Sequence, residues 1–302
     1  HFSLNGYGRP TNAELARLPV LSFRDVTSCG TSTAASLPCM FSHLGRKGFE
    51  ARRQDHENLL DLLQRAGLAV LWLDNQAGCK GLCERVPNAM AYEPAGGDRQ
   101  LLAGLCEGPE CLDEALLRGL ERRVAALAPE RRAKGVVLVL HQMGSHGPAY
   151  HRRSPPDRKP FQPECTTNVL QQCERAALVN AYDNSIAYTD HVLAETIGWL
   201  QGQAASYEPS LLYVSDHGES LGESNLYLHG LPYAVAPREQ VHVPMLMWLG
   251  SPARWRDACL QDQLDTPLSH DHLFHTVLGL VDVSATEYKP SLDALATCRA
   301  GP

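Results

Sequence analysis

Four times in this chain a mainly apolar run stops at a polar loop that carries glycine: residues 19–26 run into 27–33, 68–73 into 74–81, 135–140 into 141–148, and 209–214 into 215–223. Apolar runs without alternation mark strands covered on both faces, and such strands belong to mostly parallel sheets flanked by helices. Residues 54–66, with leucines at 59, 60, 62 and 63, supply one helix, and 112–127, 173–200 and 268–281 supply others. The expected fold is α/β, with a mostly parallel central sheet in a single domain over 1–302, because large α/β folds outgrow the usual domain size. Residues 241–249 add a strand, and Pro244 predicts that it lies at an edge or carries a bulge. Thr11 is expected to cap a short helix through Arg17.

Open α/β sheets bind ligands beyond the carboxyl ends of their strands. In the first loop Gly30 offers a turn closed to other residues, which puts Thr33 in the first turn of a helix running toward Leu44. Unpaired N–H groups and the helix dipole attract anions there. A threonine hydroxyl needs a metal or a base to become a nucleophile; an N-capping hydroxyl beside a disulfide is the alternative reading of Thr33. Asp216-His217, with Gly218 permitting close approach, is the strongest metal signal, against the alternative of a plain polar loop. His229 is placed to swing over the same site. His141 and His146 are too loosely spaced for a helical metal pair but converge if their loop folds back. Lys80 is either an anion contact or a solvated lysine. Arg152, Arg153, Arg158 and Lys159 mark residues 151–163 as an exposed basic loop, and His270, His272 and His275 read as surface and capping groups.

Composition narrows the surroundings. A net charge of −7 argues against non-specific nucleic-acid binding. No apolar run approaches the roughly 18 residues that cross a bilayer, and the chain opens on His1-Phe2-Ser3, so it reads as a processed or excised soluble piece with any anchor outside it. Eight of the 10 cysteines fall in close pairs, Cys29/Cys39, Cys79/Cys83, Cys106/Cys111 and Cys165/Cys173, leaving Cys259 and Cys298 as a fifth candidate bridge. Local disulfides imply a periplasmic or extracellular address; zinc is the rival, but no repeated C-x-x-C is present.

Thr27-Ser28-Cys29-Gly30-Thr31-Ser32-Thr33, the stretch from Leu140 to Pro148 (Leu-His-Gln-Met-Gly-Ser-His-Gly-Pro), Asn180-Ala181-Tyr182-Asp183-Asn184 and Val214-Ser215-Asp216-His217-Gly218-Glu219 follow one another in an order that resembles the lipid A phosphoethanolamine transferases, which include the mobile colistin-resistance enzymes. The resemblance covers nearly the whole chain. It implies an alkaline phosphatase/sulfatase-like α/β/α sandwich, the periplasmic catalytic domain of a monomeric inner-membrane protein whose membrane helices precede residue 1. It further implies zinc held by Thr33, Asp216, His217 and a glutamate upstream of residue 1, with a second, weaker zinc in some relatives. Thr33 matches the family's nucleophile, which carries phosphoethanolamine from phosphatidylethanolamine to lipid A and so confers polymyxin and colistin resistance. Lys80, His141, His146 and His229 match positions lining the substrate site, with His146 and His229 as acid or base; Gln76 departs from the asparagine common in the family. The alternatives are a phosphatase or sulfatase-type hydrolase, a transferase to another envelope acceptor, and a catalytically silent binding module.

Overall fold

The computed structural model describes residues 1–300. In chain order its strands are β1 (Val20–Phe23), β2 (Val26–Thr27), β3 (Ala69–Asp74), β4 (Asn88–Met90), β5 (Cys106–Glu107), β6 (Glu110–Cys111), β7 (Val136–His141), β8 (Ser210–Val214), β9 (Ser220–Leu221), β10 (Tyr227–Leu228), β11 (Met245–Leu249) and β12 (Leu268–Ser269). The helices are α1 (Thr33–Met40), α2 (Gly45–Glu50), α3 (Leu59–Arg65), α4 (Leu120–Ala125), α5 (Pro129–Arg132), α6 (Arg175–Gln201), α7 (Arg238–Val241), α8 (Asp257–Gln263) and α9 (Leu273–Leu280). Among the described residues no helix is long and apolar enough to cross a membrane. The chain divides into a unit of residues 1–54 with 145–302 and a unit of residues 55–144.

In the larger unit β11 lies between β1 and β8, antiparallel to both. Successive strand residues point to opposite faces, and Met245-Leu246-Met247-Trp248 fills both. Met245 and Met247 pack with Phe23, Leu260, Leu264 and Leu295; Leu246 and Trp248 pack with Ile186, Leu193, Ile197 and Leu211. Helix α6 therefore covers one face, and α8 with the C-terminal segment covers the other. Each such side chain contributes about 1.5–3 kcal/mol by leaving water, so a polar residue at any position of this strand is costly. Pro244 does not put the strand at an edge, as the sequence suggested. It precedes the first ladder residue, where its missing N–H costs no sheet bond, and its carbonyl accepts from the Ser215 N–H at 3.2 Å.

Helix α6 also buries polar groups. The Asn184 side chain exchanges two 2.9 Å hydrogen bonds with the backbone of Phe161, and the Lys159 ammonium donates to Glu164 and to the His151 carbonyl at 2.6 Å each. The basic stretch 151–163 is thus strapped down, not a freely solvated loop. The Asp190 carboxylate accepts from Glu14 N–H at 2.8 Å and Leu15 N–H at 3.3 Å, which caps the single 3₁₀ turn Leu15–Arg17. Thr11 leaves the cap to it and donates its hydroxyl to the His1 carbonyl instead.

Residues 268–281, expected as one helix, are three pieces: β12, a 3₁₀ turn at His270–His272, and α9. β12 pairs in parallel with β2. His272 does cap, its Nδ1 accepting from Ser269 N–H at 3.1 Å, but His270 and His275 are 2% and 0% exposed, which corrects their reading as surface groups.

In the smaller unit β3 is buried along its whole length between β4 and β7, parallel to both. Helix α3 buries all four of its leucines and opens on a capping box, in which Asn58 accepts from the Leu60 and Asp61 N–H groups and Asp61 accepts from Asn58 N–H. Residues 112–127 form a 3₁₀ turn, Asp113–Leu117, that ends before Gly119, and then α4. Disulfides join Cys29 to Cys39, Cys79 to Cys83, Cys106 to Cys111, Cys165 to Cys173 and Cys259 to Cys298.

Candidate active site

The parallel pair β2 and β12 delivers the chain to a bracketed loop that becomes α1 at Thr33. Gly30 is required there for space, not for an unusual backbone angle: a Cβ would stand 2.8 Å from Ala35 Cβ and 3.0 Å from Ser36 N. Ser32 is the N-cap, and its side chain makes no capping bond. Thr33 is buried, with its Oγ1 3.3 Å from His217 Nε2, so its hydroxyl faces the other loop instead of serving as a helix cap.

Asp216 and His217 follow β8. Gly218 is obligatory, because a Cβ there would overlap the Glu239 carbonyl oxygen. The hairpin of β9 and β10 then returns the chain so that His229 closes on the same loop, and Gly230 N–H donates to the Thr31 carbonyl at 2.8 Å. One ring nitrogen from each of His146, His217 and His229 lies within 4.8 Å of the others.

The tautomers follow from the partners. His217 Nδ1 is 3.0 Å from the Gly218 carbonyl, His146 Nδ1 is 2.7 Å from the Gly147 carbonyl, and His229 Nδ1 is 3.0 Å from Glu219 Oε1. Carbonyl and carboxylate oxygens only accept, so each Nδ1 carries the proton and each neutral ring keeps its Nε2 lone pair for a ligand. Buried Glu219 also accepts from Gly147 N–H at 3.0 Å and from the Tyr150 hydroxyl at 3.1 Å. The Glu219 hydrogen bond raises the His229 pKa despite burial, while burial, assisted by the neighbouring imidazoles, lowers that of His146. Burial and then Glu219 push the Tyr150 phenol far up.

Thr33, Asp216 and His217 suit a zinc ion. Asp216 Oδ2 is 3.8 Å from His217 Nε2. Two donors about 2.0–2.1 Å from one tetrahedral ion stand about 3.3 Å apart, the spacing of Thr33 Oγ1 and His217 Nε2.

Gln76, Lys80 and His141 belong to the smaller unit, at the carboxyl ends of β3 and β7. His141 Nδ1 is 2.9 Å from Asp74 Oδ2, Gln76 N–H donates to Asp74 Oδ1 at 2.8 Å, and the exposed Lys80 ammonium donates to the Ala77 carbonyl at 2.7 Å. Sequence reasoning passed over Glu219, Tyr150 and Asp74. Glu219 carried a signal, standing three residues after Asp216 in the same motif; Tyr150 carried none.

The profile of the Sulfatase family matches residues 1–283. The chain is 47% identical to phosphoethanolamine transferase EptA of Salmonella typhimurium, over 99% of this chain and 54% of that protein. It is 42% identical to phosphatidylethanolamine transferase Mcr-1 of Escherichia coli, over 96% and 52%. It thus spans about half the length of the curated relatives it matches. The crystal structure of the soluble domain of lipooligosaccharide phosphoethanolamine transferase A from Neisseria meningitidis superposes with a TM-score of 0.89 at 41% identity, over 99% of this chain and 89% of that one. With its disulfide-clipped, sulfatase-like α/β fold, the chain belongs to the sulfatase family and, within it, to the phosphoethanolamine transferases.

Proposed function

We propose that residues 1–302 serve as one catalytic domain of a zinc-dependent transferase that moves phosphoethanolamine from phosphatidylethanolamine to a phosphate of lipid A, through an ester on Thr33. The observation that carries this reading is the buried Thr33 hydroxyl at the start of α1, 3.3 Å from His217 Nε2. Thr33, Asp216 and His217 would hold the tightly bound zinc, with a glutamate from outside this chain; a second, weaker zinc would take the Nε2 atoms of His146 and His229 only when they are not serving as acid and base. The metal supplies Lewis acidity that lowers the pKa of the threonine hydroxyl and offsets negative charge on the phosphoryl group.

Thr33 gives up its hydroxyl proton to solvent and its Oγ forms a bond to the donor phosphorus as the bond to the diacylglycerol oxygen breaks, and that oxygen takes a proton. His229, whose pKa Glu219 raises, is the side chain suited to deliver it. First-turn N–H groups of α1 face the phosphoryl oxygens. In the second half an oxygen of the lipid A phosphate attacks the same phosphorus, the bond to Thr33 Oγ breaks, and Thr33 regains its proton. His146, kept neutral by burial, is the base for the acceptor. Gln76, Lys80 and His141 are assigned to substrate binding by the family resemblance. The five disulfides support a periplasmic location, attached to the inner membrane, and the protein acts as a monomer in conferring colistin resistance.

Thr33→Ala in the full-length protein is expected to abolish the modification, read by mass spectrometry of lipid A from expressing cells, and to remove the modified Thr33 peptide from the wild-type digest. Modified lipid A from the Thr33→Ala strain would overturn the reading. Release of free phosphoethanolamine with unmodified lipid A would reassign the protein as a hydrolase.

A further inference from the structure

β2 and β12 run parallel with Val26 opposite Leu268 and Thr27 opposite Ser269. The chain therefore leaves both strands at the same end, as Ser28-Cys29 on the way to Thr33 and as His270. Opposite them stands Ser215, which precedes Asp216. His270 joins the two sides: Cys29 N–H lies 3.0 Å from its Nδ1, and its Nε2 lies 2.9 Å from the Ser215 carbonyl. An amide N–H only donates and a carbonyl only accepts, so Nδ1 is bare and Nε2 carries the proton. Ser36 Oγ, on α1, is 3.2 Å from the same Nδ1. Burial pushes the imidazole pKa down to about 4, in keeping with a neutral ring. A second proton on the ring would set N–H against N–H. The contact reaches the zinc ligands in one step, because the Ser215 hydroxyl donates to the His217 carbonyl at 2.7 Å.

We propose that His270 is a positioning residue whose rigid ring sets the separation of the nucleophile loop from the metal-binding loop, and with it the distance from Thr33 Oγ1 to His217 Nε2. The proposal rests on the reading of Thr33 as nucleophile. His270 contacts backbone and Ser36, not the reacting atoms, and acts through Cys29 and Ser215.

Two substitutions separate positioning from core filling. His270→Leu preserves apolar volume and removes both bonds; His270→Gln retains one acceptor and one donor on a single planar group. In the full-length protein His270→Leu is expected to lower kcat for transfer on the order of 100-fold with little change in the KM for phosphatidylethanolamine. Its zinc affinity, measured by chelator competition, falls about tenfold or more, whereas His270→Gln stays near wild type in both. A folded His270→Leu protein with wild-type zinc affinity and turnover would overturn the proposal, as would a folded His270→Gln protein as impaired as the leucine variant. If His270→Leu fails to fold, long-range proton–nitrogen NMR of the wild type decides: a protonated Nδ1 overturns the proposal, and a bare Nδ1 with a functional His270→Gln supports it. Absence of transfer by the wild type would defeat the functional reading, while zinc affinity and NMR still test His270.

Discussion

A carboxylate grips an imidazole in each of the two units, Asp74 with His141 at 2.9 Å and Glu219 with His229 at 3.0 Å. Asp74 and His141 end neighbouring parallel strands and stand opposite each other in register. The remaining capacity of Asp74 goes to nearby groups, the Trp72 indole at 2.8 Å and the N–H groups of Gln76 and Gly78 at 2.8 and 3.2 Å. Glu219 instead collects Gly147, Tyr150 and His229 from separate segments of the chain. Its histidine also packs against two others, with ring centroids 4.2 Å from His217 and 4.8 Å from His146. The same pair of groups is a strut where strand register makes it. It becomes part of a site where several loops converge on it.

That contrast is sharpest in catalysis. Glu219→Ala strands three donors and frees the His229 ring, so transfer is expected to fall on the order of 100-fold or more, assayed by lipid A modification with a melting curve as control. An Asp74→Asn protein that lost as much would erase the distinction.

The disulfides test the two units by loop length. Cys259–Cys298 closes a separation of 39 residues and Cys106–Cys111 one of 5. Chain-entropy reasoning assigns about 4 kcal/mol to the first and about 2 kcal/mol to the second. Paired Cys→Ser variants compared by urea denaturation should rank in that order; the reverse order would show the smaller unit to depend more on its clip.

The smallest effect concerns pH. Burial raises the Asp74 carboxyl pKa, but His141, the Trp72 indole and the Gln76 N–H together hold it below the ordinary 3.8. A depressed carboxylate contributes stability that is present above its unfolded pKa and is lost as pH falls through the folded one. Asp74→Asn should therefore cost about 1–2 kcal/mol at neutral pH and flatten the acid fall in melting temperature below about pH 4. An unchanged acid limb would show that another group controls it.

Much of this was legible in local patterns. Continuous apolar runs marked β3, β7, β8 and β11 to within a few residues; β3 and β11 are buried on both faces, which demands apolar residues at successive positions, whereas β7 and most of β8 are only partly buried. The loop after β2 led to Thr33 and the loop after β8 held Asp216 and His217; close spacing suggested four of the disulfide pairs, and Cys259 with Cys298 was what remained. Other features were not legible. Pro244 spoke for an edge, yet β11 is central, since strand order depends on which distant segments pair. Residues 112–127 looked like one helix because periodicity does not register the break at Gly119. The histidines of 268–281 looked peripheral because nothing nearby announces that β12 lies against β2.

Residue types, their order along the chain and the faces they occupy on a strand or helix are local properties, and they pointed to Thr33, Asp216 and His217 as candidate site residues and to the α/β class. Partnerships are not local. That Tyr150 and Gly147 meet Glu219, and that His270 spans from Cys29 to Ser215, 241 and 55 residues away, follows from strand pairing and close packing. Those contacts exist only once the chain has closed on itself, because each joins groups whose separation in sequence no short-range rule can bridge.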